Sequence, residues 1–177
     1  MSHLARIACA CALTLAFVVW VRLPACAQSG ADADAIAADQ QFVAQAIDGG
    51  NKEIAQAKAE LHGTSNPNVR LFAQTMIEDH TAANAQIGAV ARSIGMNVPP
   101  PPLSFALPAA MPDAAYMSDE IAEHQKTIEL FEAEKINGTA PMESCAAQIL
   151  PMLYHHLAMA QQFERTGHVA PEPTPSP

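Results

Sequence analysis

The chain has 177 residues, a formal net charge of −9 at pH 7, and a composition in which 50% of the residues are hydrophobic. This acidic balance argues against nucleic acid and anionic membrane surfaces as partners, since both repel a negatively charged protein. The length suits one domain with a hydrophobic core of its own.

Residues 1–27 have the anatomy of a secretory signal peptide, with Arg6 at the start, an apolar stretch over 7–21 and a small-residue cleavage site at Ala25–Ala27. The apolar stretch is short for a membrane span, so we expect no transmembrane span in the mature chain and a periplasmic or otherwise extracytoplasmic location. The alternative is a lipobox ending at Cys26, which would make Cys26 the lipid anchor of a membrane lipoprotein. The proline in that segment favours soluble export.

Removal of this segment leaves a more acidic chain with one cysteine. Arg6 and Arg22 are lost, so seven basic residues face 18 acidic ones and the net charge becomes −11. Only Cys145 remains of the four cysteines. A single thiol cannot form an internal disulfide, so the exported domain must depend on its core. We interpret Cys145 as a small buried hydrophobe.

Helical patterns dominate the rest of the chain, and strand patterns are nearly absent. The first helix is predicted over about 34–61 with Asp32 or Asp34 as its N-cap. Gly49 and Gly50 each weaken this helix by about 1 kcal/mol, which predicts a close approach of another group there. The predicted buried seam has 4/3 spacing: Ile36, Gln40, Val43, Ile47, Gly50, Ile54, Ala57 and Leu61.

A second helix is predicted over about 67–94, because Asn66-Pro67 forms a helix start and Gly95 a stop. The turn between the two helices is short, so they are antiparallel neighbours. Residues 96–112 are proline-rich and cannot be helical. At about 3.1 Å per residue this segment spans on the order of 50 Å, enough to cross the length of a bundle.

Two more helices are predicted over about 113–136 and 139–166, the latter with Thr139 as N-cap. Two antiparallel pairs joined by a long connection predict an all-α, ferritin-like four-helix bundle over residues 32–166, with 96–112 as the crossover. Up-down-up-down threading is the alternative. The proline-rich residues 167–177 are predicted to be a disordered tail.

One histidine interrupts the apolar stripe of each of the last three helices. His80, His124 and His156 each lie near mid-helix, so the rings are predicted to share one level of the core, which Glu53 of the first helix borders. Buried imidazoles are costly unless each has a hydrogen-bond partner or they share a metal.

Two interpretations of the histidines remain open. In a hydrogen-bonded network, Asn84 would serve His80 and Glu120 would serve His124. In a metal site, the candidate ligands are His80, His124, His156 and Glu53. Imidazole with a carboxylate would suit zinc, iron or manganese, and imidazole with thioether would suit copper. The nearby methionines, which more often fill a core than bind metal, are Met76, Met152 and Met159.

Four groups of residues, one in each predicted helix, form a joint pattern. They are Asp39-x-x-Phe42 with Gly50-x-x-Glu53, Phe72-x-x-x-Met76-x-x-Asp79-His80-x-x-x-Asn84, Tyr116-Met117 with His124 and Leu130-Phe131, and Leu150-Pro151-x-Leu153-x-x-His156-Leu157. Over roughly residues 36–165 the chain resembles the bacterial domain-of-unknown-function 4142 (DUF4142) family. The resemblance implies a ferritin-like fold and an extracytoplasmic location, and it implies no known activity.

The sequence favours an exported, non-enzymatic helical-bundle protein of the cell envelope, with the histidine cluster in a binding or stress-protection role. A transition-metal-binding protein is the alternative. A di-iron oxidase is the least favoured, because Ile77 and Leu153 stand where Glu-x-x-His pairs would need carboxylates. The sequence presents no nucleophile–base pair that would indicate another kind of enzyme.

Overall fold

The structure, a computed structural model, describes residues 26–98 and 107–169. The predicted signal peptide lies almost entirely outside this part of the chain. The middle of the proline-rich segment and residues 170–177 of the predicted tail also lie outside it.

Four helices make up the fold: α1 (Cys26–Gly63), α2 (Pro67–Ser93), α3 (Asp113–Asn137) and α4 (Ala140–Thr166). The described residues contain no strand, so the predicted all-α four-helix bundle is confirmed. Within those same residues, no helix is both long and apolar enough to cross a membrane.

Local sequence signals set most of the helix ends. Asn66 caps α2, since its Oδ1 accepts a hydrogen bond from the Asn68 amide at 3.0 Å, and Gly167 ends α4 with a φ of 74°. The predicted start of α1 was wrong, because the helix begins at Cys26 and Asp34 lies inside it. Residues 26–33 include three alanines and no proline, so they continue a helix easily.

α2 and α3 run parallel, which requires one crossover along the bundle. At one end, Thr64 Oγ1 donates to Asp113 Oδ1 at 2.7 Å, so α2 and α3 start together. At the two ends of the crossover, Met96 packs in one apolar cluster and Met111 against the other. The threading is therefore the predicted crossover and not the up-down-up-down alternative. The ferritin-like assignment stays a prediction.

The buried stripe of α1 lies one position away from the predicted seam over much of its length. Ile36 is 46% exposed and Gln40 is also exposed. The predicted members Val43, Gly50 and Ala57 are buried, but the stripe also contains three carboxylates, which an apolar pattern does not reveal. Its buried members include Asp39, Phe42, Val43, Ala46, Gly50, Glu53, Ala57 and Glu60.

Two apolar clusters form the core, one toward each end of the bundle. The first includes Phe42, Ile87, Phe131 and Leu153, and the second includes Phe72, Met76, Tyr116, Met117 and Phe163. Val169, which the sequence assigned to the tail, is buried in the second cluster, and its amide donates to Asn68 Oδ1 at 3.3 Å. The folded domain therefore continues past α4.

Candidate metal centre

His80, His124 and His156 meet between the two apolar clusters. Their ring centroids are 5.3–5.6 Å apart, and each residue is at most 3% exposed. One ring nitrogen from each histidine lies within 4.8 Å of the other two. The prediction that the three rings share one level of the core is confirmed.

Two of the rings, those of His80 and His156, are held by carboxylates from neighbouring helices. Nδ1 of His80 lies 3.0 Å from Oε2 of Glu53 on α1. Nε2 of His156 lies 2.8 Å from Oδ2 of Asp79 on α2. Each contact uses one ring nitrogen as a donor and leaves the other nitrogen of that ring for a different partner.

His124 is held by its own helix. Its Nδ1 lies 2.9 Å from the backbone oxygen of Glu120, one turn earlier, and 3.4 Å from Glu120 Oε2. Oε1 of Glu53 is 3.9 Å from the same nitrogen. The predicted pairing of Glu120 with His124 is therefore confirmed.

Asn84 is not the partner of His80, contrary to the prediction. Its Nδ2 donates to Asn51 Oδ1 at 3.1 Å and to the Ile47 oxygen at 3.4 Å, both on α1. The side chain lies against Gly50, where a Cβ would be 2.5 Å from Asn84 Oδ1. The predicted close approach at the glycine pair is thus found at Gly50, and it directs Asn84 toward α1.

The inner nitrogens of two rings face each other, since Nε2 of His124 lies 3.3 Å from Nδ1 of His156. Asp79 accepts a hydrogen bond from Nε2–H of His156, and the Glu120 carbonyl accepts one from Nδ1–H of His124, so this hydrogen-bond pattern leaves a lone pair on both inner nitrogens. Two lone pairs at this distance repel unless a proton or a metal ion lies between them.

The histidine pKa values indicate where such a proton would reside. Burial lowers the pKa of His156 to about 4, so this ring is neutral at pH 7. Burial also acts to lower the pKa of His124, but the carboxylates of Glu120 and Glu53 outweigh it and the net shift is upward. Of the two rings, His124 is therefore the one that binds a shared proton more readily, and its Nε2 would then donate to Nδ1 of His156.

The surrounding carboxyl groups differ in charge state. Burial acts to raise the pKa of Glu53, but the hydrogen bond from His80 and the histidine charges prevail and lower it. The hydrogen bond from His156 lowers the pKa of Asp79. Burial raises the pKa of Glu120. The rings thus have two firmly ionised carboxylates as neighbours, which favours a cation among them.

The distance between Nε2 of His124 and Nδ1 of His156, which are in contact, fits two ligands of a tetrahedral metal ion. Two imidazole nitrogens bound to tetrahedral zinc at about 2.0–2.1 Å lie about 3.3–3.4 Å apart. The separation between His124 and His156 is 3.3 Å. His80 would add Nε2, because Nδ1 is bound to Glu53. In this arrangement Glu53 supports the His80 ring. The predicted ligand role of Glu53 stays a prediction, since Glu53, Glu120 and His124 form a second group whose possible ligand atoms lie within 4.8 Å of one another.

Comparison with models of known protein families identifies the family of this chain. The model for "Domain of unknown function (DUF4142)" matches residues 24–163. The chain belongs to the DUF4142 family. No curated protein and no solved structure matches it. The family description assigns no function, so the functional argument for this DUF4142 domain depends on the geometry of its core.

The methionines of the DUF4142 domain pack in the apolar clusters on either side of the histidines. Met76 and Met159 belong to the second cluster, and Met152 packs against the first. These positions agree with the interpretation of the methionines as core-filling residues.

The sequence did not predict Asp79 as the partner of His156. Asp79 directly precedes His80, and neighbours in a helix point about 100° apart, so it was not associated with the ring cluster. The available signal was the Asp79-His80 pair in the family pattern. Only the packing of α2 against α4 brings Asp79 to His156.

Proposed function

We propose that this protein binds one transition metal ion through His80, His124 and His156. The observation that carries the proposal is Nε2 of His80, a buried ring nitrogen without a hydrogen-bond partner. Leaving such an atom unsatisfied costs about 1–3 kcal/mol. A metal ion would use its lone pair and would also replace the proton between His124 and His156.

The outer contacts of the rings support the same proposal. A histidine that binds a metal typically donates its other N–H to a carboxylate or a backbone carbonyl. Glu53 has this role for His80, Asp79 for His156, and the Glu120 carbonyl for His124. A network built only from hydrogen bonds accounts for the contact between His124 and His156, but it leaves His80 Nε2 unpaired.

Three imidazoles favour zinc, copper or iron over manganese, which prefers more oxygen ligands. With three protein ligands, a tetrahedral ion would retain a fourth position for water or a small ligand. We infer a binding or protective role in the cell envelope and no oxidase activity, since Ile77 and Leu153 supply no carboxylate. The sequence of residues 1–27 supports an extracytoplasmic location.

Metal analysis of protein purified without an affinity tag tests the proposal. The chain is stripped with a chelator and dialysed separately against zinc, copper, iron and manganese, and bound metal is measured by mass spectrometry. Wild type and a His62→Ala control, whose histidine is exposed at the end of α1, should each retain about one ion per chain. His80→Ala and His156→Ala should lose it.

Circular dichroism of each metal-free variant verifies that it is folded. X-ray absorption of the loaded protein should detect a first shell of nitrogen with three imidazoles. Wild-type protein that retains none of the four metals at stoichiometric level would refute the proposal. Retention of a full equivalent by folded His80→Ala would refute it as well.

A further inference from the structure

A cleft of about 420 Å³ lies between α1 and α3, and two of its lining residues contact histidines of the cluster. We call it the α1–α3 cleft; the lining residues used below are Lys52, Glu53, Pro108, Asp119, Glu120 and Glu123. It exists because α1 packs mainly on α2 and α3 mainly on α4. Pro108 of the crossover segment also borders it.

Glu53 and Glu120 connect the cleft to the rings. Glu53 contacts His80 at 3.0 Å, and Glu120 Oε2 is 3.4 Å from Nδ1 of His124. Glu120 is only 4% exposed, and its Oε2 makes no hydrogen bond. Apart from its 3.4 Å contact with His124 Nδ1, this buried carboxylate oxygen has no polar partner, so it can bind a cation that enters the cleft.

The charges toward solvent also favour a cation. Asp119 and Glu123 line the cleft from α3. Lys52 is the basic residue among the lining residues, and its ammonium is bound to Asp48 at 2.6 Å. Clefts lined mainly by one sign of charge concentrate ions of the opposite sign.

The second cavity beside the histidines offers a much poorer path. It adjoins Glu53 and His80, but its volume is about 30 Å³, enough for one water molecule. Its lining includes the apolar side chains of Phe131, Ile149 and Leu153. A hydrated divalent ion would therefore meet both less space and fewer charged groups there.

We propose that the α1–α3 cleft is the entry route for the metal cation, and that Glu120 is the carboxylate that receives the ion before the histidines bind it. This inference depends on the proposed function. It adds a specific role to a side chain that is not among the three ligands.

Stopped-flow loading of the metal-free protein with Co²⁺, followed by its visible absorption, tests the route. Glu120→Gln keeps the shape of the side chain and replaces a carboxylate that can bind a cation with a neutral amide, and it should slow loading about tenfold. Glu120 lines only the cleft, whereas Gly49 also borders the smaller cavity, so the Glu120 variant distinguishes the two routes. Gly49→Trp places a large ring at the cleft, where a Cβ meets nothing within 4 Å. It should slow loading and release by the same factor and leave the equilibrium affinity unchanged.

Glu129→Gln, which removes an exposed charge from the same helix outside the cleft, is the matched control and should load like wild type. Unaltered loading rates in both Glu120→Gln and Gly49→Trp, with one ion still bound, would overturn the entry route and leave the metal site intact. A wild-type protein that binds no metal would overturn both proposals. A Gly49→Trp variant with weakened affinity but normal rates would also contradict the route.

Discussion

Replacing Gly50 with alanine should destabilise the protein, whereas the same change at Gly49 should stabilise it. Both glycines lie inside α1, so alanine has the same intrinsic helix advantage at each, about 1 kcal/mol. Their surroundings differ. A Cβ at Gly50 would lie 2.5 Å from Asn84 Oδ1 and 3.0 Å from Nδ2, whereas a Cβ at Gly49 meets nothing within 4 Å.

The magnitude follows from the contacts that hold Asn84. Its amide donates to Asn51 Oδ1 at 3.1 Å and to the Ile47 oxygen at 3.4 Å. A methyl group at Gly50 would displace the amide and break both hydrogen bonds, each worth about 1 kcal/mol, and residual crowding costs about 1 kcal/mol more. After the helix gain, Gly50→Ala should lose about 1–2 kcal/mol and Gly49→Ala should gain about 0.5–1 kcal/mol.

Urea unfolding followed by circular dichroism measures both free energies, and each kcal/mol corresponds to about 3 °C in Tm for a domain of this size. The decisive variant combines Gly50→Ala with Asn84→Ala. Once the amide is absent, alanine at Gly50 should stabilise the Asn84→Ala protein by about 0.5–1 kcal/mol. Equal effects at the two glycines, or continued destabilisation in the Asn84→Ala background, would refute the reasoning.

Three further predictions concern single titratable groups. Burial and a neighbouring carboxylate raise the pKa of Glu134 to about 7, so the folded state loses stability as the pH rises from about 4.5 to 7. Glu134→Gln should therefore be more stable than wild type by about 1–2 kcal/mol at pH 8 and nearly equal to it at pH 4. Urea unfolding at the two pH values measures this difference. Burial raises the pKa of Cys145 to about 11. Iodoacetamide at pH 8 should therefore fail to modify the folded protein and should modify the protein unfolded in urea. Fast modification of the folded protein would contradict this prediction. Asp79→Asn should weaken metal binding about tenfold by loosening His156, measured by calorimetry, while Glu78→Gln, an exposed neighbour, should leave affinity unchanged.

Features that depend on local sequence were predicted well. The start of α2 at Asn66-Pro67 and the end of α4 at Gly167 follow from capping geometry within a few residues. The α1 seam was wrong at several positions because the buried carboxylates of this helix have distant partners. Asp39 accepts from the Thr139 amide, and Glu60 accepts from the Met111 amide. Such contacts arise from the packing of helices and loops, and spacing within α1 does not reveal them.

In the candidate site, too, the features set by local sequence were predicted and the contacts between helices were not. The common level of His80, His124 and His156 followed from their mid-helix positions, because bundle helices of similar length are aligned along one axis. Their partners did not follow. One-turn spacing suggested Asn84 for His80, but the neighbouring helix supplies Glu53 instead. Which side chain reaches a ring depends on which helix lies beside it, and topology determines that.

The position of the histidines couples metal binding to the stability of the whole bundle. The rings come from α2, α3 and α4 and interrupt apolar packing at mid-height, where the metal-free core must bury three imidazoles beside carboxylates. A metal ion bound only by the folded state at 100 times its Kd adds about 2.7 kcal/mol, or about 8 °C in Tm. Metal should therefore raise the Tm of wild type and of His62→Ala by this amount. It should leave the Tm of His80→Ala unchanged, because two rings alone cannot complete the site.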